Sequence, residues 1–167
     1  MARIDYRHPD TNAEKGVRDN FWKSNVRSIR APMLGGSAVA GSLEVFVPGA
    51  LWLRAYAVSL GGARINARMT VIKLRSGEIL IHSPCPFDEA LTAEVAALGP
   101  VAAIIAPGNF HWLHVRSCQQ VFPQAVTCIC PGVEQRAKEL TFDEVLGDEA
   151  PALWQGELSQ VLLRDRA

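Results

Sequence analysis

The six residues from Val101 to Ala106 are apolar without a break, and glycine and proline close the run at both ends, as Gly99-Pro100 and Pro107-Gly108. Six residues are few for a globular helix and ordinary for a strand. A strand without polar alternation has no side to give to water, so both of its faces must be covered. That excludes a sheet with one solvated face and asks for a layer on either side. The neighbouring segments supply the layers. Asp88 is placed to cap a helix running to Leu98, with Leu91, Val95 and Leu98 on one face, and Gly99-Pro100 stops it. A short helix is expected over His114 to Val121, a strand over Ala125 to Cys130, and a helix over Glu134 to Leu140. Strand and helix in alternation give an α/β layered domain.

Upstream the period is two. Glu44 to Val47 reads as a short strand stopped by Pro48 and Gly49, and Leu51 to Ser59 as a longer one broken by Gly61 and Gly62. Met69 to Leu74 and Glu78 to His82 form a hairpin through Arg75-Ser76-Gly77, with Gly77 where the turn needs positive φ. Pro84 and Pro86 end that hairpin. Near the other end of the sequence Trp154 is an anchor, and Glu157 to Leu163 reads as a last strand.

The first 42 residues have another texture. Met1 to Arg30 carries seven basic and four acidic residues with no sustained apolar period, and Ala31 to Ser42 is rich in small residues. Residues 1–42 are therefore expected to form a flexible or loosely docked arm, dispensable for folding the core. Asn12 could cap a helical turn or two over Ala13 to Trp22. Residues 43–167 form the single domain that a chain of 167 residues suits. Lys plus Arg and Asp plus Glu number 17 each, which supplies no broad attraction for nucleic acid or an anionic membrane. No apolar run is long enough to span a bilayer, and the N-terminus lacks a signal-peptide h-region. The expectation is a cytoplasmic protein whose four cysteines (Cys85, Cys118, Cys128, Cys130) are reduced thiols.

Ligands of α/β sheets gather at the carboxyl ends of strands. Three such ends hold polar residues here: His82 with Ser83, then Asn109 with His111 and His114, then Cys128 and Cys130. His82, Ser83 and Asn109 are candidate binding residues. His111 and His114 are three apart, a spacing that shares a helix face, and with His82 or a cysteine they could hold zinc or another divalent metal. The structural alternative makes them helix-entry residues engaged in caps and core hydrogen bonds. Cys128 and Cys130 share one face of a strand and read as small core residues, since redox and zinc motifs space their cysteines differently. Cys85, between two prolines, is expected to be the most exposed thiol. No serine stands in a Gly-x-Ser-x-Gly elbow, so no Ser-His-Asp triad is argued.

Several short motifs in order resemble one family. They are Arg68-Met69-Thr70-Val71-Ile72-Lys73-Leu74, Ser76-Gly77-Glu78, His82-Ser83-Pro84, Leu98-Gly99-Pro100-Val101, Ala106-Pro107 with Asn109 and His111, Phe122-Pro123-Gln124-Ala125, and Pro131-Gly132-Val133. Together they are similar to a domain of unknown function related to the metallo-β-lactamase fold, over about Leu43 to Leu163. The resemblance implies part of an αββα sandwich with a β-rich N-terminal half. It places the Pro107 to His114 loop where active relatives carry a His-x-His-x-Asp-His ligand motif for one or two metals, which activate a bound water. Only His111 falls near a ligand position, and no Asp stands in the loop.

The function implied is a metallo-β-lactamase-like, hydrolase-related protein of unknown small-molecule substrate with a degenerate metal site. The alternative is a non-catalytic binding or scaffold protein on a partial fold of that kind, and a weaker third is a cysteine-based redox role. The family's chain continues beyond the length seen here, so an apolar sheet face is expected to be bare. A homodimer through Trp154, Leu158, Val161 and Leu163 would cover it.

Overall fold

The computed structural model describes residues 2–6, 42–60 and 63–164. Alternation upstream builds a meander. Strand β2 (Glu44–Val47) turns through Pro48 and Gly49 into β3 (Leu51–Leu60), which pairs along its whole length with β4 (Ala63–Lys73). Strand β4 continues through the Gly77 turn, at φ 91°, into β5 (Ile79–His82). Here the pairing changes sense. Helix α1 (Glu89–Leu98) carries the chain over one face to β6 (Val101–Ala106), which lies parallel to β5. Helix α2 (Val115–Val121) leads to β7 (Val126–Ile129), and the single turn α3 (Val133–Arg136) leads to the two-residue β8 (Glu144–Val145). The seven strands lie in sequence order, β2 to β8. Strand β9 (Leu158–Leu162) pairs instead with β1 (Ala2–Tyr6), antiparallel, from Ala2 opposite Leu162 to Tyr6 opposite Leu158.

Period two divides the sheet's residues between two cores. Ile79, Ile81, Ile104, Ala106 and Ile129 meet the helices through Leu91, Val95, Val115, Cys118 and Val133. Leu80, Ala103, Ile105 and Cys128 meet Leu146, Trp154 and Leu158 on the other side. Ile104 and Ile105, neighbours in sequence, are both fully buried on opposite faces, as the unbroken apolar run requires. The helix ends follow their signals. Asp88 Oδ1 accepts the Leu91 N–H at 2.7 Å, and the Leu98 carbonyl accepts from Lys73 Nζ at 2.6 Å, a cation at the negative end of α1.

Several expectations are corrected. The face opposite the helices is not bare: the segment from Leu146 to Leu162 covers it, and Trp154 and Leu158 are 1% and 3% exposed within their own chain. They cannot serve a dimer interface, whereas Val161 and Leu163 are exposed. The helix expected over Glu134 to Leu140 is the four residues of α3, because Gly132 enters it at φ 93° and the chain turns again at Ala137. Strand β7 ends at Ile129, so Cys130 leaves the period and joins Ile129 in the helix-side core, away from Cys128. Cys85 is fully buried, with its thiol against Met69 Sδ at 3.6 Å, so it is no exposed thiol. Ala2–Tyr6 forms a strand where no apolar period announced one, while the helix considered over Ala13 to Trp22 lies outside the described residues. No described helix is long and apolar enough to cross a membrane.

Candidate functional site

The carboxyl ends of β5 and β6 are adjacent because the two strands run parallel, with His82 opposite Ile105. Ser83 follows β5 directly. Its N–H donates to the Ile105 carbonyl at 2.9 Å, which holds it against the end of β6. Its φ is 58°, the only left-handed backbone on a described non-glycine residue. Such a conformation costs on the order of 1 kcal/mol or more and persists where the surroundings enforce it. Strand β6 delivers the loop from Pro107 to His114, which the His111 N–H to Gly108 carbonyl bond folds at 2.9 Å. The two strand ends thereby meet through side chains: Ser83 Oγ and His111 Nδ1 share a hydrogen bond of 2.6 Å.

Strand β3 adds a third group. Tyr56 reaches across from the helix-side face, and its phenol donates to the Pro84 carbonyl at 3.2 Å. Burial raises the phenol pKa, with the Ser83 side chain opposing. Tyr56 also packs edge-on against the His114 ring, with centroids 5.6 Å apart. His114 itself stands at the N-cap of α2 without a side-chain cap bond. Burial lowers the pKa of both His111 and His114, so both rings are neutral near pH 7. Asn109 is tied to the loop and to α3. Its carbonyl accepts from Trp112 Nε1 at 3.1 Å, and a Cβ on Gly132 would come within 3.0 Å of its Oδ1.

Sequence reasoning named Ser83, Asn109, His111 and His114, and the structure brings Ser83 and His111 into contact. It does not bring the histidines together as ligands. His82 has the parity of Leu80, whose core lies on the far side of the sheet from the helices. His111 has one ring nitrogen occupied by Ser83, and His114 meets a phenol ring. Among the described residues no group of three His, Cys, Asp or Glu side chains could hold a metal. A catalytic zinc takes three protein ligands, so this donor set does not fit one.

Ser83 has two features of an esterase nucleophile: a strained turn after a strand and a histidine within reach. Two others are absent. The next residue is Pro84, which has no N–H to form an oxyanion hole, and Ser83 is 1% exposed. Ser83 therefore holds His111 through its Nδ1. Redox chemistry is also disfavoured. Burial pushes Cys85 up to about 11 and Cys128 up to about 12, and raises Cys118 and Cys130 as well, so thiolates are scarce at neutral pH. Tyr56 was missed by sequence reasoning, though its parity with Trp52 and Arg54 on β3 was a usable signal.

Residues 48–135 match the family model described as Domain of unknown function (DUF4336), more than half of the chain. Among curated proteins none matches. The chain is similar to the crystal structure of DIM-1 metallo-β-lactamase exposed to ceftazidime at a TM-score of 0.50 and 12% identity, covering 65% of this chain and 52% of that one. A metallo-β-lactamase from Hirschia baltica matches at a TM-score of 0.49 and 14% identity, over 66% and 54% of the two chains. FIM-1 from Pseudomonas aeruginosa, solved in a mono-zinc form, matches at 0.48 and 10%, over 65% and 51%. The chain thus spans about half the length of the solved structures it matches, and the likeness is one of fold.

Proposed function

This chain belongs to the domain-of-unknown-function family DUF4336, and we propose, from the geometry of its site, that it binds a small ligand at the carboxyl ends of β5 and β6. The fold is metallo-β-lactamase-like, and the reading assigns no metal to this site. One observation carries the reading: the 2.6 Å bond between Ser83 Oγ and His111 Nδ1 commits the histidine nearest a ligand position to a serine. A neutral imidazole held in one orientation suits hydrogen-bonded recognition of a ligand. Elemental analysis of protein purified without a histidine tag tests this. Substoichiometric zinc, iron and manganese are expected. One metal per chain, lost in His111→Ala with the fold retained, would establish a metal site at His111 and overturn this reading.

A second copy of the chain is the expected protein partner. Strand β2 is one edge of the sheet, all four of its residues are exposed, and Val45 and Phe46 are 56% and 55% open. Among the described residues no strand pairs with the outer side of β2, and although the strand is short and its register shifts between Val45 and Val47, its exposed apolar side chains can meet a second copy without net-charge repulsion. Light scattering at micromolar concentration should give the mass of two chains. A single-chain mass unchanged by concentration overturns it.

A further inference from the structure

The loop that carries His111 also leaves two large apolar side chains in water. Phe110 is 58% exposed and Leu113 is 46% exposed, one on each side of His111 in sequence. A cation stands beside the first of them. The Arg136 guanidinium of α3 lies 5.3 Å from the centre of the Phe110 ring. Arg136 is exposed, and no described carboxylate pairs with it. The two elements meet because β6 and β7 run parallel, with Ala106 opposite Ile129, so the loop after one strand meets the turn after the other. Gly132 at φ 93° lets them close: any side chain there would press on Asn109.

We propose that this rim takes a small monoanionic amphiphile, a carboxylate on a hydrocarbon or aryl body, with the body on Phe110 and Leu113 and the carboxylate on Arg136. This deepens the ligand-binding reading and rests on it, since His111 stands between the two apolar side chains in sequence. Apolar surface lying next to a guanidinium that no described carboxylate pairs matches a ligand with one apolar and one anionic end. The guanidinium fork fits the two oxygens of a carboxylate, and a flanking aromatic face keeps it in place. Arg136 is the cation that the described residues place on Phe110, which favours a monoanion over a dianion.

Octanoate, octylamine and octanol share one body and differ in head group, so titrating each into the metal-free full chain by calorimetry isolates the anion. Octanoate should bind at least about tenfold more tightly than the other two. Arg136→Gln should remove that preference with Tm unchanged, and Phe110→Ser should weaken all three probes. Equal affinity for the three, no octanoate binding at millimolar concentration, or an undiminished preference in Arg136→Gln overturns the proposal. His111→Gln separates the two readings. If it leaves octanoate binding intact while Arg136→Gln removes the preference, the amphiphile site stands and His111 is no ligand contact. If only His111→Gln weakens binding, the rim assignment fails and the His111 reading survives.

Discussion

Gly99 and Gly77 approach so closely that a Cβ built on Gly99 would strike the Gly77 carbonyl oxygen. The contact joins the end of α1 to the turn between β4 and β5, just where β6 must enter beside β5. Ile79 completes the junction by donating its N–H to the Pro100 carbonyl at 2.8 Å. The obstructing atom is backbone and cannot swing aside as a side chain would.

Gly99→Ala should therefore destabilise the fold by about 2–4 kcal/mol, in the range of core and backbone clashes. Urea titration followed by circular dichroism measures it. Gly49→Ala is the control: no heavy atom lies within 4 Å of its Cβ position, so only its φ of 73° is strained. It should cost less, about 1 kcal/mol.

Ser83→Ala removes the bond to His111 and keeps the strained backbone, so a loss of about 1–2 kcal/mol is expected. Ser83→Gly loses the same bond but relieves the left-handed strain, and should be at least as stable as the alanine variant. An alanine variant clearly more stable than the glycine one would show that φ at this position is not strained. In both variants the His111 ring resonances should broaden or shift by NMR as the ring loses its fixed orientation.

Acid should weaken the protein through His111 and His114. Burial lowers both folded pKa values below the ordinary value, so near pH 6.5 the unfolded chain binds more protons than the folded one. Stability is then full above the unfolded pKa of about 6.5 and falls as the pH drops from there toward the folded values. Tm measured from pH 7.5 to pH 5.5 should decline, and His111→Gln should flatten the decline. A Tm that rises on acidification over this interval contradicts the assigned direction.

All four thiols should resist an aromatic disulfide reagent in the native state and react fully in urea. Each cysteine is buried, and burial raises each pKa. Counting released thiolate by absorbance settles it, and rapid native labelling at Cys85 would show that Pro84 and Pro86 do not shield it.

Much of the sheet was legible because its signals are local. The run Val101 to Ala106 has no polar residue, so it had to lie between two layers, and Asp88 and Gly99 bracket a helix, the first as a side-chain N-cap and the second as an extended residue that ends it. The site was half legible. Ser83, Asn109 and His111 stand at strand ends and could be named, but the Ser83–His111 bond depends on a backbone angle that no residue type announces. Cys130 shows another limit: period two holds only while the strand lasts, and β7 stops one residue short of it. Tyr56 and Arg136 reach the site from elements distant in sequence, which pattern reading along the chain does not connect.

The pairing of β1 with β9 bears on the order in which the molecule assembles. It joins residues at opposite ends of the sequence, from Ala2 against Leu162 onward, so it closes the longest loop in the fold. During synthesis the β5–β6–β7 ladder can form while Leu146 to Leu162 is still inside the ribosome. Until that stretch emerges, Leu80, Ala103, Ile105 and Cys128 lack the cover of Leu146, Trp154 and Leu158. A nascent chain paused before Trp154 would carry a complete helix-side core and an open apolar sheet on the other side, the kind of surface that chaperones shield.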